Sequence, residues 1–176
     1  MDNIIYIVNI ADNIYLQVDI FGESSIVKGN GSLIKKIGNF DVECSNNYVY
    51  YANENKDISF IDFQGKEIYV LDHKQYELIS TDQGNNILVK TVKEVEGKFE
   101  YYTIDITSGA ATKISNYQGV IDSMYYYIDE ENNQKVYKLL NGIEVARFSE
   151  GTTRIFNGSN GGIYFKDGQT IYKISK

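Results

Sequence analysis

The chain has 176 residues, with 17 basic and 24 acidic side chains for a formal net charge of -7, one histidine, one cysteine, no tryptophan and no proline. That charge opposes unaided binding to nucleic acid or to an anionic membrane face. Cys44 has no second cysteine for an intrachain disulfide, and Cys/His zinc clusters and most hydrolytic triads lack their residues. A hydrophobic fraction of 43%, 14% of the chain being aromatic, excludes a disordered chain and suits one packed domain over 1-176.

Within the first twelve residues the first charge is acidic, Asp2, and Asn9 and Asp12 interrupt the apolar run. No secretory leader and no membrane span are predicted. A complete chain of this kind belongs in the cytoplasm, where a lone thiol is at home; an excerpt of a longer exported protein would be extracellular. Helical periodicity is nearly absent from the chain. Short Ile/Val/Tyr/Phe runs separated by Asn, Asp, Gly and Ser predict strands from end to end.

In chain order, the first pair of strands is Ile5-Tyr6-Ile7 and the alternating run Ile14-Tyr15-Leu16-Gln17-Val18-Asp19-Ile20. A turn with Asp19 and Gly22 follows, then a short strand at Ser25-Ile26-Val27. The same succession returns at Val49-Tyr50-Tyr51, at Ile61 with a turn through Asp62 and Gly65, and at Glu67 to Leu71. It returns again at Asn86 to Val89, at Ile104 with Asp105 and Gly109, and at Thr112-Lys113-Ile114. A fourth copy runs through Tyr125-Tyr126-Tyr127, Val136 to Leu139, Asn141-Gly142 and Ile143 to Ala146. The last copy is partial, with Ile163-Tyr164-Phe165 and Ile171 to Ile174. Gln118 to Ile121 and Thr153 to Phe156 are strands that cross from one copy to the next.

The anchors Val18, Ile61, Ile104, Leu139 and Ile174 are spaced by 43, 43, 35 and 35 residues. Repeats of this length, with a hairpin in each, point to a propeller or another stacked β array, because one small sheet hides its apolar faces only against its neighbours. In each turn, glycine takes positive φ and the Asp or Asn side chain accepts nearby backbone amides. The predicted units are 1-31, 32-74, 75-116, 117-151 and 152-176. Three strands precede the second unit, the first unit lacking its inner strand and the last its outer one. A small five-bladed ring, an open arc, and a ring completed by another chain all satisfy that count.

An aromatic-Tyr-Tyr strand, a polar loop, Ile-Tyr-x-Ile-Asp-x-x-Gly and a short Leu/Ile strand resemble the tyrosine-rich β-propeller repeats of bacterial surface and periplasmic proteins. Those repeats are similar in turn to low-density-lipoprotein-receptor-type propellers. The resemblance implies an all-β, propeller-like array of four to five short antiparallel blades. The Tyr-Trp-Thr-Asp signature of the receptor group is missing, and nothing tied to it carries over.

Candidate chemistry is sparse. His73 sits in Leu71-Asp72-His73-Lys74-Gln75, where Asp72 or Cys44 would be its partner if it were a general base. No Ser or Cys has a nucleophile-elbow context, so a solvated turn is expected. The loop from Asp129 through Glu131 to Lys135 lacks the glycine and the distal glutamate of a calcium loop, and no metal or cofactor is expected. Asn30-Gly31-Ser32 and Asn157-Gly158-Ser159 match the glycosylation sequon but read as hairpin turns. Tyr50 and Tyr126, with Asp129 and Glu131, are the candidate binding residues, as exposed aromatic or acidic groups. Adjacent tyrosines point to opposite faces of a sheet, so at least one of each pair packs between blades.

These readings predict a non-catalytic interaction scaffold that binds a protein or a glycan through its loops. Two alternatives stand beside it. One is a glycoside hydrolase with carboxylates from different blades, for which Asp19, Asp62 and Asp105 recur at equivalent places. The other is a subunit that self-assembles into a homo-oligomer through unfinished terminal blades.

Overall fold

The computed structural model describes residues 4–11, 13–38, 42–82, 84–120, 126–132, 134–149, 153–157, 163–167 and 169–174. Among them there is no helix, and none long and apolar enough to cross a membrane. Every element is a strand in one of five antiparallel sheets, taken in chain order. Sheet one holds β1 (Ile4–Ala11), β2 (Ile14–Asp19), β3 (Ser24–Lys28) and β4 (Leu33–Gly38). Sheet two holds β5 (Val42–Cys44), β6 (Val49–Ala52), β7 (Ile58–Ile61) and β8 (Glu67–Leu71). Sheet three comprises β9 (Tyr76–Thr81), β10 (Asn86–Thr91), β11 (Tyr101–Asp105) and β12 (Ala110–Ile114). Sheet four comprises β13 (Tyr117–Val120), β14 (Tyr126–Glu131), β15 (Gln134–Leu139) and β16 (Glu144–Ser149). Sheet five has β17 (Thr153–Asn157), β18 (Ile163–Asp167) and β19 (Thr170–Ile174).

Each strand pairs with its successor, so every connection inside a sheet is a hairpin. Sheet one has four strands where the sequence repeat predicts three. Leu33–Gly38, which the repeat groups with the second unit, is hydrogen-bonded to β3. Its ladder slips register twice, between Ser24 and Ser25 and between Ile26 and Val27. An irregular strand of this kind has no clean period-2 signature to read. The predicted crossing strands are β13 and β17, each the first strand of the following sheet.

Central strands bury both faces, and their alternation decides which neighbour each residue meets. In β6 and β7 the register pairs Val49 with Ile61 and Tyr50 with Phe60. Val49, Tyr51 and Ile61 pack with Ile14, Ile26 and Ile37 of sheet one. Tyr48, Tyr50 and Phe60, one residue out of phase, pack instead with Ile87, Val89 and Ile104 of sheet three. Both members of the Tyr50-Tyr51 pair therefore serve interfaces between sheets, on opposite sides. The same alternation in β10 sends Ile87 and Val89 toward sheet two and Leu88 toward Ile114, Tyr117 and Leu140. Phe60 is fully buried, its ring stacked on Tyr50 at 5.3 Å and edge-on to Tyr48 at 5.5 Å. Full burial of one such side chain stabilises by about 1.5–3 kcal/mol.

The array is not closed by a shared sheet: among the described residues, no strand of sheet five is hydrogen-bonded to sheet one. Tyr125, Ile121 and the Gly158 to Gly162 run lie outside the described residues, as does the side chain of Tyr126.

Candidate interaction surface

In sheets two to four the recurring turns join the third and fourth strands, at one end of each sheet, whereas in sheet one the Asp19 turn joins the second and third. Asp19 Oδ1 accepts the amides of Phe21 and Glu23 at 2.8 and 2.9 Å. Asp62 Oδ1 accepts those of Gln64 and Lys66, both at 2.9 Å. Asp105 Oδ1 accepts Thr107 and Ser108 at 2.8 and 3.3 Å, which holds its carboxyl below the usual range. Asn141 Oδ1 accepts Ile143 at 3.0 Å. Gly22, Gly65, Gly109 and Gly142 close these turns with φ between 73° and 86°. Each recurrent carboxylate thus commits one oxygen to its own turn, a local capping device.

Three of the four candidate binding residues, Tyr50, Asp129 and Glu131, are less exposed than the sequence predicts. Tyr50 is half-buried in the interface between sheets two and three, and its hydroxyl donates to Glu43 Oε2. Burial, followed by the Glu43 carboxylate, pushes its pKa well above the usual tyrosine range. Tyr126 opens β14 opposite Leu139. The acidic loop is a strand, a tight turn and a strand: β14 continues to Glu131, Asn132 takes a φ of 51°, and β15 begins at Gln134. Asp129 is buried within β14 rather than exposed, accepting the Asn116 amide at 3.0 Å and pairing with Lys138 at 3.3 Å. Its in-strand position beside a cross-strand lysine explains why the acid run misleads. Glu131 is partly buried and bridges Lys138 and Arg147, whose hydrogen bonds hold its carboxyl low.

At the opposite end, three connections from sheets two and three are tied together. The β6–β7 loop is shaped by Asn53, whose Oδ1 accepts the amides of Asn55 and Asp57 at 2.9 and 3.1 Å. His73, in the turn after β8, bonds to Asp57 rather than to Asp72 or Cys44. Its Nδ1 lies 2.8 Å from Asp57 Oδ1, and its amide donates to the same oxygen at 3.1 Å. Asp72 stabilises its own turn through the Lys74 amide at 2.8 Å and Gln75 Nε2 at 3.0 Å. Cys44 belongs elsewhere, donating to the Ile10 carbonyl at 2.7 Å. The turn in turn anchors the next sheet, because the Val92 amide donates to the Gln75 carbonyl at 2.9 Å.

Val92 begins a hairpin extension between β10 and β11 that the sequence reading passed over. A bridge pairs Val95 with Lys98 by amide-to-carbonyl bonds of 2.8 and 3.1 Å. Glu96 and Gly97 at its tip have φ of 53° and 78°, the conformation of a two-residue hairpin turn. Val92, Val95 and Phe99 are exposed along it, and Lys90 places its ammonium 5.3 Å from the Phe99 ring. The readable signal was Glu-Gly flanked by valines and a phenylalanine in an otherwise charged stretch. The hairpin thus shows three apolar side chains to solvent.

Small antiparallel sheets stacked in chain order, with three interfaces filled by alternate residues of central strands, define a β-propeller-like repeat array. No protein-family model and no curated protein matches the chain. Among solved structures it is similar to BamB from Moraxella catarrhalis, at 12% identity over 93% of this chain and 57% of that one, with a TM-score of 0.37. It is also similar to the WD40 β-propeller domain of Doa1, at 13% identity over 92% and 60% of the two chains, TM-score 0.37. The C-terminal WD40 domain of Sif2 gives 11% identity over 90% and 53%, TM-score 0.40. The chain spans 53 to 60% of the length of these three structures.

Proposed function

We propose that this chain is a non-catalytic interaction module, one domain over 1-176, that binds a protein partner through loops held on a stacked β scaffold. The observation that carries the reading is the 92–100 hairpin, with Val92, Val95 and Phe99 exposed on an element anchored to its neighbouring turn. Contact surfaces of this type draw their energy from a few apolar or aromatic anchors surrounded by polar groups, and Lys93, Glu94, Glu96 and Lys98 supply that rim. A pre-formed hairpin also avoids most of the ordering cost of a loose loop. The engagement of Asp19, Asp62 and Asp105 in their own turns weighs against the hydrolase alternative, and the half-buried Tyr50 weighs against glycan stacking there. Kinship with tyrosine-rich bacterial propeller repeats, and more distantly with the receptor-type group, belongs to the same reading. Paired tyrosines at the sheet interfaces support it.

The test is quantitative affinity capture with wild type and with a Val92→Ser, Val95→Ser, Phe99→Ser variant, followed by titration with the purified partner. A partner held by wild type and bound at least about tenfold more weakly by the variant supports the proposal. Equal affinity in both places the contact elsewhere. A second reading, self-assembly, has one observation in its favour: among the described residues sheet five has three strands, leaving one edge of β19 outside any ladder. Light scattering that gives a strict monomer at high concentration refutes it.

A further inference from the structure

We propose that Asp57, Asp72 and His73 together form a binding site for a first-row transition-metal dication, with Zn2+ as its simplest occupant. The three residues come from two different connections, the β6–β7 loop and the turn after β8, and each offers one ligand atom. Those atoms all lie within 4.8 Å of one another. A tetrahedral ion with bonds of about 2.0–2.1 Å holds its ligand atoms roughly 3.3 Å apart, so side-chain adjustment of about an ångström closes the set. His73 Nδ1 and Asp57 Oδ1 are already 2.8 Å apart.

The donors are held where they are by bonds that do not depend on an ion. Asp57 sits in a loop shaped by Asn53, the His73 amide is bound to Asp57, and Asp72 caps the Lys74 amide. The two carboxylates bring two negative charges to the site, and the positive charge of Lys74 acts on Asp57. All three side chains are half-buried, close enough to solvent for an ion to enter and sheltered enough for the attraction to exceed that at an open surface.

The donor set also chooses among metals. An imidazole nitrogen with only two carboxylates suits Zn2+, Co2+ or Ni2+, whereas Mg2+ and Ca2+ require more oxygen ligands. On binding, the tautomer with its proton on Nε2 presents the Nδ1 lone pair. The hydrogen bond between His73 and Asp57 gives way to one bond from each residue to the ion. Three protein donors leave at least one position for water or for a donor from another molecule. The site adjoins the start of the 92–100 hairpin through Gln75 but uses none of its residues, and it stands or falls separately from the interaction reading.

His73 is the only histidine of the chain, so in a tag-free protein its ring protons give one isolated pair of NMR signals. Titration of the full chain with ZnCl2 alone should shift those signals saturably, with one ion per chain and a Kd below roughly 100 µM. His73→Gln and Asp72→Asn should each weaken binding by at least about tenfold while the circular dichroism spectrum stays that of wild type. MgCl2 at the same concentration should leave the ring signals in place. An absence of any shift at about 1 mM Zn2+ in wild type overturns the proposal without recourse to a variant. Wild-type affinity in Asp72→Asn overturns it as well, since an imidazole acting alone would then account for the binding.

Discussion

Substituting Gly65 by alanine tests whether sheet two rests on sheet one. Gly65 has φ of 85°, and a Cβ there would stand 2.8 Å from the Ile34 carbonyl oxygen and 3.0 Å from Ile34 Cγ2. Ile34 belongs to β4, so the obstacle is backbone of the neighbouring sheet and cannot swing aside. Gly142 closes the equivalent turn of sheet four with φ of 86° and has open space where its Cβ would go. Both substitutions incur the left-handed strain of an L-residue, about 1–2 kcal/mol, and both recover about 0.4–1 kcal/mol from the unfolded chain. Only Gly65→Ala must also displace packed atoms, at about 1–3 kcal/mol. Gly65→Ala should therefore be less stable than Gly142→Ala by about 1–3 kcal/mol, or several degrees in Tm at about 2–4 °C per kcal/mol. Urea and thermal unfolding of the two variants side by side measure the difference. Equal losses would mean that the Gly65 turn does not lie against β4, and the stacking of sheets one and two would be wrong.

Phe60→Ala should destabilise by about 3–5 kcal/mol because the ring is fully buried between sheets two and three, whereas the exposed Phe99→Ala should stay within about 0.5 kcal/mol. Denaturant titration checks both. Asp62→Ala removes the acceptor of two turn amides and should cost about 1 kcal/mol, read as a lower urea midpoint at unchanged slope. The turn amides hold the Asp105 carboxyl low, so its ionised form adds stability above about pH 4, and that contribution disappears as pH falls through the depressed folded value. Asp105→Asn keeps an oxygen acceptor but cannot titrate, so its acid unfolding curve should be shallower than that of wild type below about pH 4.

What the sequence made legible was whatever depends on near neighbours. The Asp19, Asp62, Asp105 and Asn141 turns are closed by amides two to four residues away, and the spacing of those residues announces them. The Tyr50-Tyr51 alternation likewise follows from strand geometry alone, and the structure sends the two rings to opposite interfaces. What stayed hidden depends on distant partners. β4 joins sheet one through a ladder with two register slips, and Leu33-Ile34-Lys35-Lys36-Ile37 carries no period that says so. His73 reads in sequence as a solvated turn residue, with Asp72 or Cys44 as its partner only if it were a general base, yet it bonds to Asp57, sixteen residues upstream across a hairpin. Asp129 looked like part of a solvated loop, and the cross-strand Lys138 is what makes a strand position tolerable for it. The Val92 to Glu100 hairpin is charged enough to pass for a loop, because its three apolar residues face no core.

The central claim is that neighbouring sheets cover one another in chain order through alternate residues of their middle strands. Methyl and aromatic NOEs measured on selectively labelled protein test it most directly. The account predicts cross-peaks from Ile14, Ile26 or Ile37 to Val49 or Ile61, and from Phe60 or Leu71 to Ile87, Ile104 or Ile106. Cross-peaks that join Ile26 to Ile104, or Phe60 and Ile61 meeting the same neighbouring sheet, would contradict it.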